Sequence, residues 1–385
     1  MSRPGPLVPA GRIVGLDVAR CVALVGMIAT HALVTTTPDG DVTVVQQIAG
    51  GRAAALFAVL AGVSLALMSG RATPVHGVEA RAVSAGLAVR AIVIALLGLV
   101  LGGLPTTILV ILAYYGVLFL LGIPFIRSGA GALAVLGTVW VVVVPVLMHL
   151  LRRHLPEAPV ESPSFASLSD PLDLLAQLAV TGTYPAVPWL GYLLVGMALG
   201  RLDLTRWRTA GTLVVVGAGT ALVSWSGSHL LVGRPGVRDR LEETLTGPNS
   251  ENLSVTLEHG LYGTTPTGSW WWLAVGAPHT STPFDLAQTT GSALVVIGIA
   301  LVLGRLVPRI AAVVFGAGAM TLTLYSAHLV LRTPPFLPDD DARTFFIHVA
   351  IVAVVGAAYR LARRSGPIER SVTWLAGKTA DQVRG

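Results

Sequence analysis

Apolar residues run through this chain in blocks separated by short stretches where Arg, Pro and Gly collect. A block of about 17 to 25 apolar residues is long enough to cross a hydrocarbon layer as a helix. Ten blocks can be marked off: 13–34, 52–69, 86–103, 105–125, 130–150, 186–201, 209–226, 286–305, 310–331 and 344–363. They predict an all-α fold, a polytopic integral membrane bundle of about ten transmembrane helices. The connections are unequal. Residues 35–51 are short, 151–185 are rich in Pro and Ser, and a long polar outer loop at about 227–285 carries Trp270, Trp271 and Trp272. The long loop is expected to fold over the bundle's outer face. Tryptophans in such a place are more often interfacial anchors than a sugar-stacking surface. With no internal repeat and no separate soluble domain, residues 1–385 are read as one transmembrane domain. Gly191, Gly196 and Gly200 have the spacing that lets helices approach closely, within one chain or in a homo-oligomer.

Composition supports a membrane protein. Hydrophobic residues make up 53% of the 385 and charged residues 12%, and the mean hydropathy is +0.73, more apolar surface than a soluble core could bury. The opening MSRPGPLVPAGR lacks the apolar core and cleavage site of a signal peptide, so the first helix is expected to be retained. Cys21 is the only cysteine, which leaves no internal disulfide. The net charge of +6 is carried almost wholly by arginine, with Lys378 the single lysine. Without clustered basic and aromatic runs, the charge reads as topology and not as a nucleic-acid surface. If the N-terminus is cytoplasmic, 17 basic residues fall on that side and seven on the other, which satisfies the positive-inside rule with both termini cytoplasmic.

An ionisable residue inside a span is costly unless paired or hydrated, which makes it a functional candidate. In the first block, Asp17 precedes Arg20 by three positions and the two can pair on one helix face. Arg20 and His31 are eleven positions apart, hence within about 20° of one face and roughly 16 Å apart along the axis. An imidazole can remove a proton from a hydroxyl or amine near neutral pH, so His31 is a candidate general base. Under this topology Arg52, His279 in "PHTSTPFD" and His328 in "LYSAHLVLR" fall at the same outer level. The pattern GxSxG, HExxH, a phosphate loop and a strand-associated GxGxxG are all lacking, and no metal site is expected.

"RIVGLDVARCVALVGMIATH" (12–31) resembles the opening helix of the transmembrane acyltransferases: an arginine, then LDxxRGxA, then a run ending in histidine or asparagine. "GRAAALFAVLAGVSLAL" (51–67), "ILAYYGVLFLL" (111–121), "PWLGYLLVGMALGRLDL" (188–204), "PHTSTPFDLAQTTGSA" (278–293), "MTLTLYSAHLVL" (320–331) and "GPIER" (366–370) resemble, in order, the YeiB-like bacterial branch related to heparan-α-glucosaminide N-acetyltransferase. The resemblance implies a multi-pass protein of the plasma (inner) membrane. It further implies transfer of an acyl group, acetyl foremost, from cytoplasmic acyl-CoA to a hydroxyl or amine of an extracytoplasmic glycan or glycolipid. Arg12, Asp17, Arg20 and Arg52 become the expected CoA-binding set, with Arg71, Arg81 and Arg90 as further phosphate candidates, and His31 and His279 the candidate bases. Two departures stand out. Cys21 replaces the glycine after the motif arginine. The heparan enzyme resembles this chain with asparagine at His31 and its essential histidine in the next outer loop, where residues 35–51 here offer only Asp39 and Asp41 as titratable groups. A multi-span transporter or lipid-handling protein without covalent chemistry is the competing reading, and acyl-CoA binding separates the two.

Overall fold

The computed structural model describes residues 7–35, 42–155, 160–246, 252–334, 336–337 and 339–385. Its helices, in chain order, are α1 (Val14–Ala32), α2 (Val44–Ala49), α3 (Arg52–Met68), α4 (Gly77–Gly102), α5 (Leu112–Gly122), α6 (Ala130–Leu151), α7 (Pro171–Ala176), α8 (Ala186–Gly200), α9 (Trp207–Val232), α10 (Val237–Glu243), α11 (Leu253–His259), α12 (Pro283–Leu306), α13 (Pro308–Val314), α14 (Thr321–Leu331), α15 (Ala342–Leu361) and α16 (Pro367–Arg384).

All ten apolar blocks contain helix, and among the described residues seven helices are long and apolar enough to span: α1, α2–α3 taken together, α4, α6 with its last turn, α9, α12 and α15. The other three blocks are broken. The 186–201 block is α8, preceded by helical residues Pro171–Thr181 at a bend of 50°, with Pro185 at its start. The 105–125 block begins as an irregular lead and becomes helical only at Leu112. The 310–331 block is α13, a short 3-10 turn at Gly316–Ala319, then α14. The turn brings backbone against backbone: a Cβ on Gly318 would sit 1.7 Å from the Asp17 carbonyl oxygen, and one on Gly316 2.4 Å from that of Gly356.

At the centre α3 packs on α8, and α12 packs on α1 and α9. Small residues make the close packing possible, because lipid tails give apolar helices no hydrophobic reason to associate. A Cβ on Gly196 would lie 1.9 Å from the Val59 carbonyl oxygen, so the glycine spacing read from sequence is a helix contact within the chain. Apolar side chains such as Val215, Leu222 and Val223 of α9 point outward, as lipid-facing positions should.

The long loop forms a small cap with a core of its own, built from Val237, Leu241, Leu253, Leu261, Trp272, Val275 and Ala277. This corrects the expectation for the tryptophan run. Trp272 is fully buried and donates from Nε1 to Thr244 Oγ1 at 3.0 Å, so it is core, neither anchor nor platform. Only Trp270 stays half exposed, with Arg153 over its ring. The amphipathic α16 lies outside the ten blocks. It buries Val372, Ala376 and Ala380 along α4, tied by Arg384 to Glu79 at 2.7 Å. Arg71 donates to the Gly11 carbonyl, so the first described residues and α16 lie at one end of the bundle, here called the arginine end.

Arg201, at the C-terminus of α8, is 3% exposed and donates to the carbonyls of Ala66, Ser69, Arg71, Ile126 and Ser128 and to Ser69 Oγ. It ties the ends of α3, α8 and the turn after α5. Unpaired buried acceptors are costly, so Arg201→Ala should destabilise the protein by about 3 kcal/mol. Arg201→Lys should recover only part, since an ammonium cannot reproduce the guanidinium fork. Thermal unfolding of the detergent-solubilised variants measures both.

Candidate active site

The motif residues of α1 sit at the arginine end. The Asp17 carboxylate is buried, 2.6 Å from Arg12 Nε and 3.3 Å from Arg20 Nη1, and Arg20 also donates to Ser64 Oγ of α3 at 2.9 Å. Asp17 thus holds two guanidiniums at the wall of a cavity of about 550 Å³. Its polar lining includes Arg12, Arg20, Arg90, Ser64, Glu369 and Thr373, and its apolar lining includes Phe57, Leu60 and Phe119. Arginine suits anionic phosphate because it combines a fixed charge with a planar donor fork.

A second cavity of about 360 Å³ opens at the other end, lined among others by His31, His279, Tyr184, Tyr262, Gln46 and Asp340. Met27, one helical turn before His31, lines both cavities. Ile111 and Leu112 face the first and Ile108 and Ala54 the second, while Tyr115 donates to the Ala54 carbonyl at 3.1 Å. The two chambers are therefore divided by a largely apolar layer of side chains around Met27.

The second cavity has a rigid rim. Leu261 and Gly263 donate from backbone nitrogen to the carbonyls of Pro278 and His279 at 3.1 and 3.0 Å, and Thr265 Oγ1 donates to the Thr280 carbonyl at 2.8 Å. Asp285, in the first turn of α12, accepts from the Ser281 backbone nitrogen at 2.9 Å. Tyr262, His279 and Ser281 all have positive φ, at 44°, 57° and 53°. Non-glycine residues held there carry backbone strain, which collects at functional sites. His279 stacks on Tyr262 and meets Tyr184 edge-on. Burial pushes its imidazole down to about 4 and pushes the Tyr262 hydroxyl up.

His31 Nδ1 lies 3.2 Å from His328 Nε2, with the two ring planes within 9° of parallel. His328 Nδ1 lies 2.6 Å from Nδ1 of His348 on α15. His328 and His348 are both buried. Arg332, just past the end of α14, is also buried, donating to the carbonyls of Leu337 and Asp339 and paired with Asp340. Among the described residues, no group of three or more His, Cys, Asp or Glu side chains is arranged to hold a metal ion.

The family described as heparan-alpha-glucosaminide N-acetyltransferase, catalytic, matches residues 12–232, more than half of the chain. The chain belongs to this family. No curated protein matches it. It is therefore an acetyltransferase-family membrane protein. The family stretch holds Arg12, Asp17, Arg20, His31 and Arg90, and ends before His279, His328 and His348.

The sequence-derived candidates separate cleanly. Arg12, Asp17 and Arg20 come together, as do His31 and His279 on the second cavity and His31 with His328. Arg52 does not join the arginines: it stands at the histidine end and donates to the Gln47 carbonyl at 2.5 Å, lining neither cavity. Of the further phosphate candidates only Arg90 lines the first cavity. Asp39 and Asp41 lie outside the described residues. His348 was missed, although it is ionisable and lies inside the 344–363 block, the same signal that marked His31. Buried Arg360, whose Nε and Nη2 have no partner among the described residues, lies inside the same block.

The depressed value of His279 has a signed consequence. Above the ordinary histidine value of about 6.5 the group is neutral in both folded and unfolded chains. As pH falls from 6.5 towards 4 the unfolded chain takes up the proton first, and stability is lost, by roughly 2 kcal/mol. The wild type should therefore lose more thermal stability between pH 7.5 and 4.5 than His279→Gln. An identical loss in both would refute this account of the ring.

Proposed function

We propose that the protein transfers a short acyl group, acetyl foremost, from acyl-CoA at the arginine end to a hydroxyl or amine of a glycan or glycolipid at the histidine end. The positive-inside rule makes the arginine end cytoplasmic. The observation that carries this reading is the pair of cavities on opposite ends of one bundle, arginine-lined and histidine-lined, meeting at Met27. Arg12, Arg20 and Arg90 would hold the phosphates of the nucleotide end, with Asp17 as their positioning residue. The pantetheine arm is long, slender and largely uncharged, which suits an apolar throat. It would carry the thioester past Met27 towards His31.

The chemistry balances as a direct transfer. His31 takes the proton from the acceptor's hydroxyl or amine as that atom attacks the thioester carbonyl. The new C–O or C–N bond forms, the C–S bond breaks, and the proton returns from His31 to the leaving thiolate, giving free CoA and the acylated acceptor. His279, which lines the same cavity beside Tyr262 and Tyr184, would orient the acceptor or serve as an alternative base.

His31→Ala should lower acyl transfer by about 10²-fold or more, the usual contribution of a general base, while saturable acyl-CoA binding to the purified protein persists. Full activity in that variant would sink the assignment of His31. If the wild type fails to bind acyl-CoA at all, the transporter reading gains and the acyltransferase reading falls. The throat has a separate test. Met27→Trp adds bulk where the chambers meet and should block transfer with acyl-CoA affinity little changed; unimpaired transfer would mean that the acyl group takes another path.

A further inference from the structure

Imidazoles joined in series are not interchangeable with three separate histidines, because each neutral ring carries a single N–H and the donor on one fixes the donor on the next. Here the contacts are His31 Nδ1 to His328 Nε2 and His328 Nδ1 to His348 Nδ1. For neutral rings only two arrangements satisfy both. In one, every proton points from α1 towards α15: His31 donates from Nδ1, His328 donates from Nδ1, and His31 Nε2 is left with a lone pair. In the other, every proton points back and His31 Nε2 carries hydrogen, which makes it useless as a base.

We propose that His328 and His348 are positioning residues that set the tautomer of His31, with the protons directed from α1 to α15 and the basic Nε2 turned to the second cavity. This rests on the acyltransferase reading given above and extends it to α14 and α15, which lie outside the stretch matched by the family. His31 is the only one of the three that lines the cavity. His328 and His348 are 2% and 1% exposed, so neither touches an acceptor. The far end of the series is His348 Nε2, which carries the last N–H in this arrangement and is buried with no hydrogen-bond partner among the described residues. When His31 accepts the acceptor's proton at Nε2, its Nδ1 hydrogen already points at a lone pair on His328, and the positive charge spreads over a hydrogen-bonded series instead of resting on one ring. Arg332 is within electrostatic reach of all three rings. Its pairing with Asp340 offsets a charge that would otherwise oppose that step. No carboxylate touches the rings in the contacts described, so the histidine series takes the place that an acid usually fills behind a catalytic histidine.

The test uses full-length protein, selectively labelled with ¹⁵N-histidine, in lipid vesicles. Solid-state NMR reads the protonation of each ring nitrogen, with His31→Asn, His328→Asn and His348→Asn as assignment controls. The wild type should show His31 protonated at Nδ1 and bare at Nε2. His348→Ala removes the terminal acceptor and should shift His31 towards the Nε2-protonated form. The same variant should lower kcat for acyl transfer by on the order of 10²-fold with KM for acyl-CoA little changed. His348→Asn, whose Oδ1 stands near the former Nδ1 and can accept from His328, should restore most of both signals. His31 protonated at Nε2 in the wild type, or an unchanged His31 tautomer in His348→Ala, would overturn the proposal. If the tautomer shifts as described but the wild type transfers no acyl group, the histidine series stands and the acyltransferase reading is what fails.

Discussion

A carboxylate inside an apolar bundle is costly unless positive charge meets it, and the buried Asp17 is met by both Arg12 and Arg20. The other features of the site depend on this pairing. It fixes the first turn of α1 and turns two arginines to the wall of one cavity. The backbone at Gly318 can then settle directly against Asp17, an approach that any Cβ would prevent. From that contact α14 runs alongside α1, and the two touch again where His328 meets His31. α14 is thus held against α1 at two points, beside the Asp17 cluster at the arginine end and at the His31–His328 contact at the other.

The same economy of buried polar groups explains the irregular elements. A helix continued through Gly316–Ala319 would hold its side chains between α1 and α15. The tight turn there places bare backbone against Asp17 and Gly356 instead. The break before α8 and the late start of α5 lie beside the second cavity, whose lining includes Thr107, Ile108, Leu109 and Tyr184. Irregular backbone at membrane depth is tolerated where protein or a cavity supplies its partners, and the carbonyl of Leu109 receives the Tyr184 hydroxyl.

The class of fold was legible because apolar length is a direct demand of the bilayer, and the blocks 13–34 and 130–150 differ little from α1 and α6. Block 310–331 misled because hydropathy counts residues and does not see Gly318 pressed on a neighbouring backbone. The pairing of Asp17 with Arg20 was readable from a spacing of three within one helix. The meeting of His31 with His328 and His348 was not, since it depends on three helices far apart in sequence. For the tryptophan run, the rule of interfacial anchors looked only at the bundle and not at the cap that closes around Trp272. Arg52 shows the reverse error: the span pattern sets it at the outer level with the histidines, the resemblance groups it with the CoA-binding arginines, and on α3 it stands at the histidine end.

The placement of Met27 reconciles two demands on such a site. A protein that moves an acyl group through a membrane must admit a long flexible thioester arm yet refuse water and ions. A narrow apolar constriction does both, because an uncharged chain crosses it at little cost while a hydrated ion must shed its shell. Met27 suits the constriction, being unbranched and able to swing aside without a polar group of its own. It stands one turn before His31, so a thioester that clears the throat is already beside the proposed base. The arginines proposed to hold the donor then stay on one side and the imidazoles that would activate the acceptor on the other, with the length of α1 between them. On this view the awkward composition of the first helix, charged at one end and basic at the other, is what a transfer across a membrane asks of a single helix.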